Sequence, residues 1–204
     1  MLGFEDEVWW SRLAPPALHT WAEADQPLRL VEQAVAKEDP DPKALACYGL
    51  LLRSAAPTGG WEEQAWLRFV AGRPVSARTS EFLAWSARRL AAAGKEALLL
   101  VWDNAPWHVS RAVREWIYAH NRHVKRTGQG VRIINCYLPS KSPWLNPIEP
   151  KWVHGKRRVV EPARLLPAAE LRARVCAAFD CPEEDLLGLP TPLAAHSVIP
   201  EEVA

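Results

Sequence analysis

The sequence lacks an apolar run approaching the roughly 20 residues that cross a bilayer. It opens on acidic Glu5, Asp6 and Glu7, where a secretory leader would be basic. Neither a membrane span nor a leader is expected, and the chain reads as soluble and cytoplasmic. Cysteine is scarce, with four in 204 residues. None has paired zinc-ligand spacing: Cys176 and Cys181 have four residues between them and no neighbouring histidine. A zinc ribbon and a disulfide scaffold are thus excluded, and buried or free thiols in a reducing compartment are expected. There is no Gly-rich phosphate loop, no Ser-His-Asp signature, no internal repeat and no long low-complexity tract. What is present is ordinary: 49% hydrophobic and 24% charged residues suit one folded domain, or one with a small appendage, and rule out global disorder.

The net charge of +1 conceals a segregation. Residues 1–50 carry nine acids against four bases, and residues 165–204 carry seven against two. Between them, residues 104–164 hold twelve bases and three acids, a net of +9. A basic middle on a near-neutral chain points to a polyanion-binding face, or to bases and acids that pair across the fold.

Local patterns give an α/β order. Leu2 to Trp10 alternates as a strand, with Leu2, Phe4, Asp6 and Val8 on one face and Glu5, Glu7 and Trp9 on the other. Residues 17–32, including Trp21, read as a second strand or ribbon, and residues 44–52 (ALACYGLLL) as an apolar strand. Residues 61–70 read as a short helix. An N-cap at Thr79 or Ser80 opens an amphipathic helix that ends at Gly94. Residues 97–102 (ALLLVW) read as a strand buried on both faces. Ser110 caps a helix to about Arg126 that Gly128 stops, and 131–138 (VRIINCYL) forms another strand. Asn146 then opens a helix, residues 168–179 form a last one, and the acidic tail from Pro190 is loosely held. Strands followed by a strand–helix alternation imply a mixed sheet flanked by helices.

Three carboxylates stand out, each with two readings. Asp103 follows the buried strand, at the carboxyl end where open α/β sheets gather ligands. It is either a turn residue of Asp-Asn-Ala-Pro or a metal ligand. Asp6 is an inward-facing carboxylate that a cation would neutralise, or part of a solvated edge strand. Glu149 completes a capping box with Asn146, with Pro147 at the first helical position, or is an acid on a fixed support at the root of a basic helix. Together the three suit two hard cations, Mg²⁺ or Mn²⁺, which take oxygen ligands and, about 4 Å apart, can serve a phosphoryl displacement.

Segment 103–108 (DNAPWH) with Ser110, and segment 138–149 (LPSKSPWLNPIE), closely resemble the second and third acidic motifs of Tc/mariner-type transposases, in particular the bacterial insertion-sequence branch. Segment 4–13 (FEDEVWWSRL) resembles the first. The resemblance covers roughly residues 2–165 and implies an RNase H-like DDE catalytic core over 1–165, followed by a C-terminal helix and acidic tail over 166–204. It implies Asp6, Asp103 and Glu149 as catalytic metal ligands. The implied chemistry is Mg²⁺-dependent phosphodiester hydrolysis at element ends, then attack of the freed 3′-hydroxyl on target DNA. A synaptic homodimer is implied too. Forty-five residues separate Asp103 from Glu149, longer than in many relatives, so an extended helix and loop are expected between them. The family's usual N-terminal helix-turn-helix would precede Asp6, where this chain has five residues. The expectation is therefore a catalytic half with a separately encoded DNA-binding half, or a catalytically silent remnant acting as a DNA-binding or interaction module.

Asn104, His108 and Asn146 match motif neighbours expected to shape the site or touch DNA. His108 reads as a phosphate contact or as an organiser of Asp103. Lys141, Lys151, Lys156, Arg157 and Arg158 are the candidate phosphate contacts, or else an ordinary solvated helix face. Trp21, Trp66, Trp85, Trp102 and Trp116 are expected in the core. Trp107 and Trp144 either pack or stack on an unpaired base.

Overall fold

The computed structural model describes residues 1–13, 35–159 and 164–188. The expected ribbon over 17–32 and the tail from Pro190 lie outside the described residues. Five strands form one mixed sheet: β1 (Leu2–Ser11), β2 (Ala44–Ala55), β3 (Trp61–Phe69), β4 (Ala97–Trp102) and β5 (Arg132–Tyr137), in the spatial order β3-β2-β1-β4-β5. The first three pair antiparallel, while β4 lies parallel to both β1 and β5. The helices are α1 (Ser76–Ala92), α2 (Arg111–Thr127), α3 (Ile148–Val159) and α4 (Ala168–Ala178). None is long and apolar enough to cross a membrane.

The alternation of each strand sorts the core into two layers. Tyr48, Leu50, Leu98, Leu100 and Trp102 pack with Phe82 and Leu90 of α1 and Ile117 of α2. On the opposite face, Phe4, Val8, Trp10 and Leu51 pack with Ile148 and Trp152 of α3 and Val175 of α4. Because α4 shares this layer with β1, and an isolated bridge joins Val70 to Leu187, residues 166–188 are built into the body.

Several expectations are met locally. Ser110 Oγ accepts from Val113 N at 3.3 Å, and Gly128 ends α2 in the left-handed region at φ 69°. Three expectations need correction. Residues 61–69 are an edge strand, because pairing along β2 outweighs a weak local helical pattern. The helix expected from Thr79 or Ser80 begins at Ser76. Thr79 is inside it and fully buried, its hydroxyl 2.9 Å from the Tyr48 hydroxyl. Strand β4 is buried along one face and only in part on the other: Leu99 is 41% exposed, whereas Val101 two residues on is buried in the layer under α3 and α4.

Candidate active site

The three acids arrive from three elements. Asp6 lies in β1 on the α3 face, which is a central strand and not the solvated edge that the sequence left open. Asp103 is the first residue after β4. The β1–β4 register pairs Leu2 with Leu99 and Phe4 with Val101; the same offset carried two residues further sets Asp6 against Asp103. Glu149 sits in the first turn of α3. The capping-box reading fails on one half, because Asn146 N–H donates to the Pro143 carbonyl at 2.8 Å, which leaves the Glu149 carboxylate without that partner.

Electrostatics link the three acids. Burial, and next the Glu149 carboxylate, push Asp6 up to about 7. Burial, followed by the Asp103 charge, also raises Glu149. Asp103 itself is held below the usual carboxylate range, first by its hydrogen bond with His108. Like charges held together in a half-buried cleft resist ionisation, and a cation relieves that cost. All three are oxygen donors, the set that hard divalent ions take, so the residues fit Mg²⁺ or Mn²⁺.

A tryptophan and a glycine that sequence reasoning did not single out shape the site. Trp152 Nε1 donates to Asp6 Oδ2 at 2.8 Å. Its ring lies over Gly49, the β2 residue registered opposite Asp6, and a Cβ there would come within 2.2 Å of Trp152 Cη2. Only a residue without a side chain lets the indole reach the carboxylate.

Behind Asp103 stands a second group. Among the described residues, the ligand-type atoms gathered within 4.8 Å of one another belong to Glu5, Glu7 and His108, beside the triad rather than within it. Glu5 is 0% exposed, and burial, then the Glu7 charge, raise its carboxyl to about 8. His108 is 1% exposed, stacked on Trp102 with ring centroids 4.6 Å apart. Burial alone would lower its pKa, but the Glu5 charge and the hydrogen bonds with Asp103 and Glu7 raise it well above its ordinary value. The alternation of β1 does put Glu5 and Glu7 on one face; nothing local says that this face is buried.

The remaining candidates divide by exposure. His108 is buried with both ring nitrogens against carboxylates, one of them Asp103. Asn146 is 2% exposed and donates its amide to the Glu5 carbonyl at 2.9 Å, tying α3 to β1. Asn104 is exposed and donates to the Leu138 carbonyl at 2.6 Å. With Asp103 and Lys141 it lines a cavity roofed by Pro139 and Pro143. Lys151, Lys156, Arg157 and Arg158 are exposed on α3. Two of them are engaged: Lys151 pairs with Glu63 at 2.6 Å, and Arg158 donates to the Ala178 carbonyl at 2.9 Å. Lys156 acts on Glu149 and favours its charged form. Trp66, Trp85 and Trp102 are in the core as expected, and Trp116 packs against it half-buried. Trp107 donates to Glu7 at 2.8 Å, whereas Trp144 is 73% exposed.

Comparison with known proteins follows the same lines. No curated protein matches the chain. Solved structures that share its fold include the Mos1 transposase paired-end complex with left transposon end (TM-score 0.61, 17% identity), the Mos1 mariner paired end complex with Mn (0.60, 16%) and the Mos1 strand transfer complex (0.57, 16%). Each match covers 89% of this chain and 48% of the other, so the chain spans about half the length of these proteins. The likeness bears out the RNase H-like α/β fold. The profile of the DDE superfamily endonuclease family matches residues 62–172, more than half of the 204 residues. The sequence match and the shared fold lead to one conclusion: this chain belongs to the DDE superfamily endonuclease family.

Proposed function

We propose that this chain is the catalytic domain of a DDE transposase, which cleaves DNA phosphodiesters with divalent metal and transfers the freed strand to target DNA. The observation that carries this reading is the electrostatic linkage of three acids from separate elements: Glu149 raises Asp6, and Asp103 raises Glu149. Two Mg²⁺ or Mn²⁺ ions bound there would activate the attacking oxygen and stabilise the leaving one. Asp6 would hold its ion from the floor, restrained by Trp152. Asp103 would do so from the strand end, and Glu149 from the helix that also carries the exposed bases. Asn104 and Lys141 line the cavity beside Asp103, and Lys156 and Arg157 are exposed on α3; these would hold the phosphodiester backbone.

DNA as the partner, in the form of element ends and target, agrees with the similar fold of the Mos1 transposase in its paired-end complex with left transposon end. A homodimer in the DNA complex and a separately encoded DNA-binding half complete the proposal. The test is nicking of supercoiled plasmid by the purified chain with Mn²⁺ or Mg²⁺, beside Asp103→Asn. Metal-dependent nicking that the substitution abolishes is expected. A folded wild-type chain that nicks under neither ion would overturn the enzymatic reading in favour of a silent DNA-binding or interaction module.

A further inference from the structure

The β1–β4 ladder runs from Leu2↔Leu99 to Phe4↔Val101 and stops two residues short of Asp6 and Asp103. Beyond that point another device must set the spacing of the two strand ends. His108 occupies that position. Its Nδ1 stands 2.7 Å from Asp103 Oδ1, while Nε2 stands 3.0 Å from Glu7 Oε1 and 3.1 Å from Glu5 Oε2. One ring therefore cross-links β1 to the residue that follows β4.

The ring itself cannot swing. It is stacked on Trp102 at 19° between planes, and Trp107 both meets it edge-on and donates to Glu7 at 2.8 Å. Asp103 is different: its side chain is 53% exposed at the start of a turn, where a carboxylate is free to change rotamer. Its Oδ1 takes two donors, the His108 ring and the Ala105 N–H at 2.9 Å, so that Oδ2 is the oxygen left for a ligand. Glu5 adds an independent sign of purpose. It is fully buried, and neither of its oxygens accepts an aligned hydrogen bond. A buried polar side chain in that state is costly unless a neighbour uses it, and the neighbour here is the imidazole, whose Nε2 stands 3.1 Å from Oε2.

We propose that His108, locked in place by Glu5, Glu7 and Trp102, is a positioning residue that fixes Asp103 Oδ1 and presents Oδ2 to the cation site. The inference rests on the reading of Asp103 as a metal ligand given above. Its chemistry is that of an outer shell, in which a hydrogen-bonded partner sets the orientation of a ligating carboxylate.

Mn²⁺ binding, read by the electron paramagnetic resonance of the free ion, tests the proposal without requiring turnover. His108→Asn keeps an amide donor near the place of Nδ1, whereas His108→Gln puts it near Nε2 and His108→Ala removes it. Mn²⁺ affinity is expected to fall about 10–100-fold in H108Q and H108A. H108N should retain most of the wild-type affinity. Plasmid nicking should follow with a raised half-saturating Mn²⁺ concentration rather than a lower rate at saturation, a split that simple loss of folded protein would not produce. Unchanged affinity in H108A, or an H108N no better than H108Q, would overturn the proposal. Should H108A and H108Q fail to fold, Glu5→Ala, which removes the side chain standing against His108 Nε2, carries the test: it should weaken Mn²⁺ binding, and wild-type affinity would overturn the proposal. A Mn²⁺ equivalent that survives in Asp6→Asn/Asp103→Asn protein but is lost with Glu5→Gln would also overturn it, by making the buried cluster a cation site in its own right. A wild-type chain that neither binds Mn²⁺ nor nicks DNA removes the underlying functional reading. One that binds normally while the His108 variants match it removes the positioning role alone.

Discussion

Replacing a proposed metal ligand should stabilise the metal-free protein, and Asp6→Asn is the clearest case. Asp6 is raised from 3.8 to about 7 by burial and by Glu149. A carboxyl with a folded-state pKa above its unfolded value holds its proton more tightly when folded. The stability it contributes is thus present in acid and is lost as pH rises from about 4 through about 7. Three pH units at 1.36 kcal/mol each correspond to about 4 kcal/mol of stability lost by pH 8. Asparagine keeps an oxygen to accept from Trp152 Nε1 and carries no charge to desolvate. With chelator present, Asp6→Asn should therefore exceed the wild type by about 4 kcal/mol at pH 8, or about 10 °C in Tm for a chain of this size. The gap should close to below about 1 kcal/mol at pH 4, where the wild-type carboxyl is protonated in the folded state and largely so in the unfolded one. Glu5, raised to about 8, gives the wild type a further loss of the same sign, but the variant shares it. Urea denaturation from pH 4 to pH 8 in chelator, repeated with Mn²⁺, measures this. Mn²⁺ should stabilise the wild type at pH 8 more than the variant. A metal-free wild type as stable as Asp6→Asn at pH 8, or a difference that does not vary with pH, would refute the account of Asp6.

Other expectations follow from single residues. Gly49→Ala would place a Cβ 2.2 Å from Trp152 Cη2, so the indole must move off Asp6. Overpacking of this kind costs about 1–3 kcal/mol, and calorimetry together with the nicking assay should show lower stability and lower activity. Ser110→Ala removes the acceptor for Val113 N–H at the start of α2 and should cost about 1 kcal/mol by chemical denaturation, with nicking largely kept. Reversing Lys156 and Arg157 to glutamate should weaken DNA binding across sequences and shallow the salt dependence by about one unit of log–log slope for each phosphate no longer neutralised. An unchanged slope in fluorescence anisotropy would take these two residues off the DNA.

Much of this protein is written in short-range signals. Ser110 and Gly128 bracket α2 because a hydroxyl can cap N–H groups and glycine tolerates the left-handed region; both effects act within one turn. The apolar run 97–102 and the acid after it identify a strand and its acid-bearing end. The alternation of β1 correctly separates Asp6 from Glu5 and Glu7. What the chain could not announce locally depends on neighbours far along it. Trp61–Phe69 is a strand because β2 offers it a partner, and β1 is central because β4 closes on its other side some ninety-seven residues away. That central placement buries Glu5, brings His108 to it from 103 residues along the chain, and opposes Gly49 to Asp6 so that Trp152 can pass between. Apart from β3, the sequence by itself determined which elements form and which acids stand ready at their ends, since propensity, capping and periodicity are local properties. Only the tertiary structure decided which of those acids are buried, which are paired and which are left facing the cleft, because desolvation and hydrogen bonding are set by the groups that packing brings alongside.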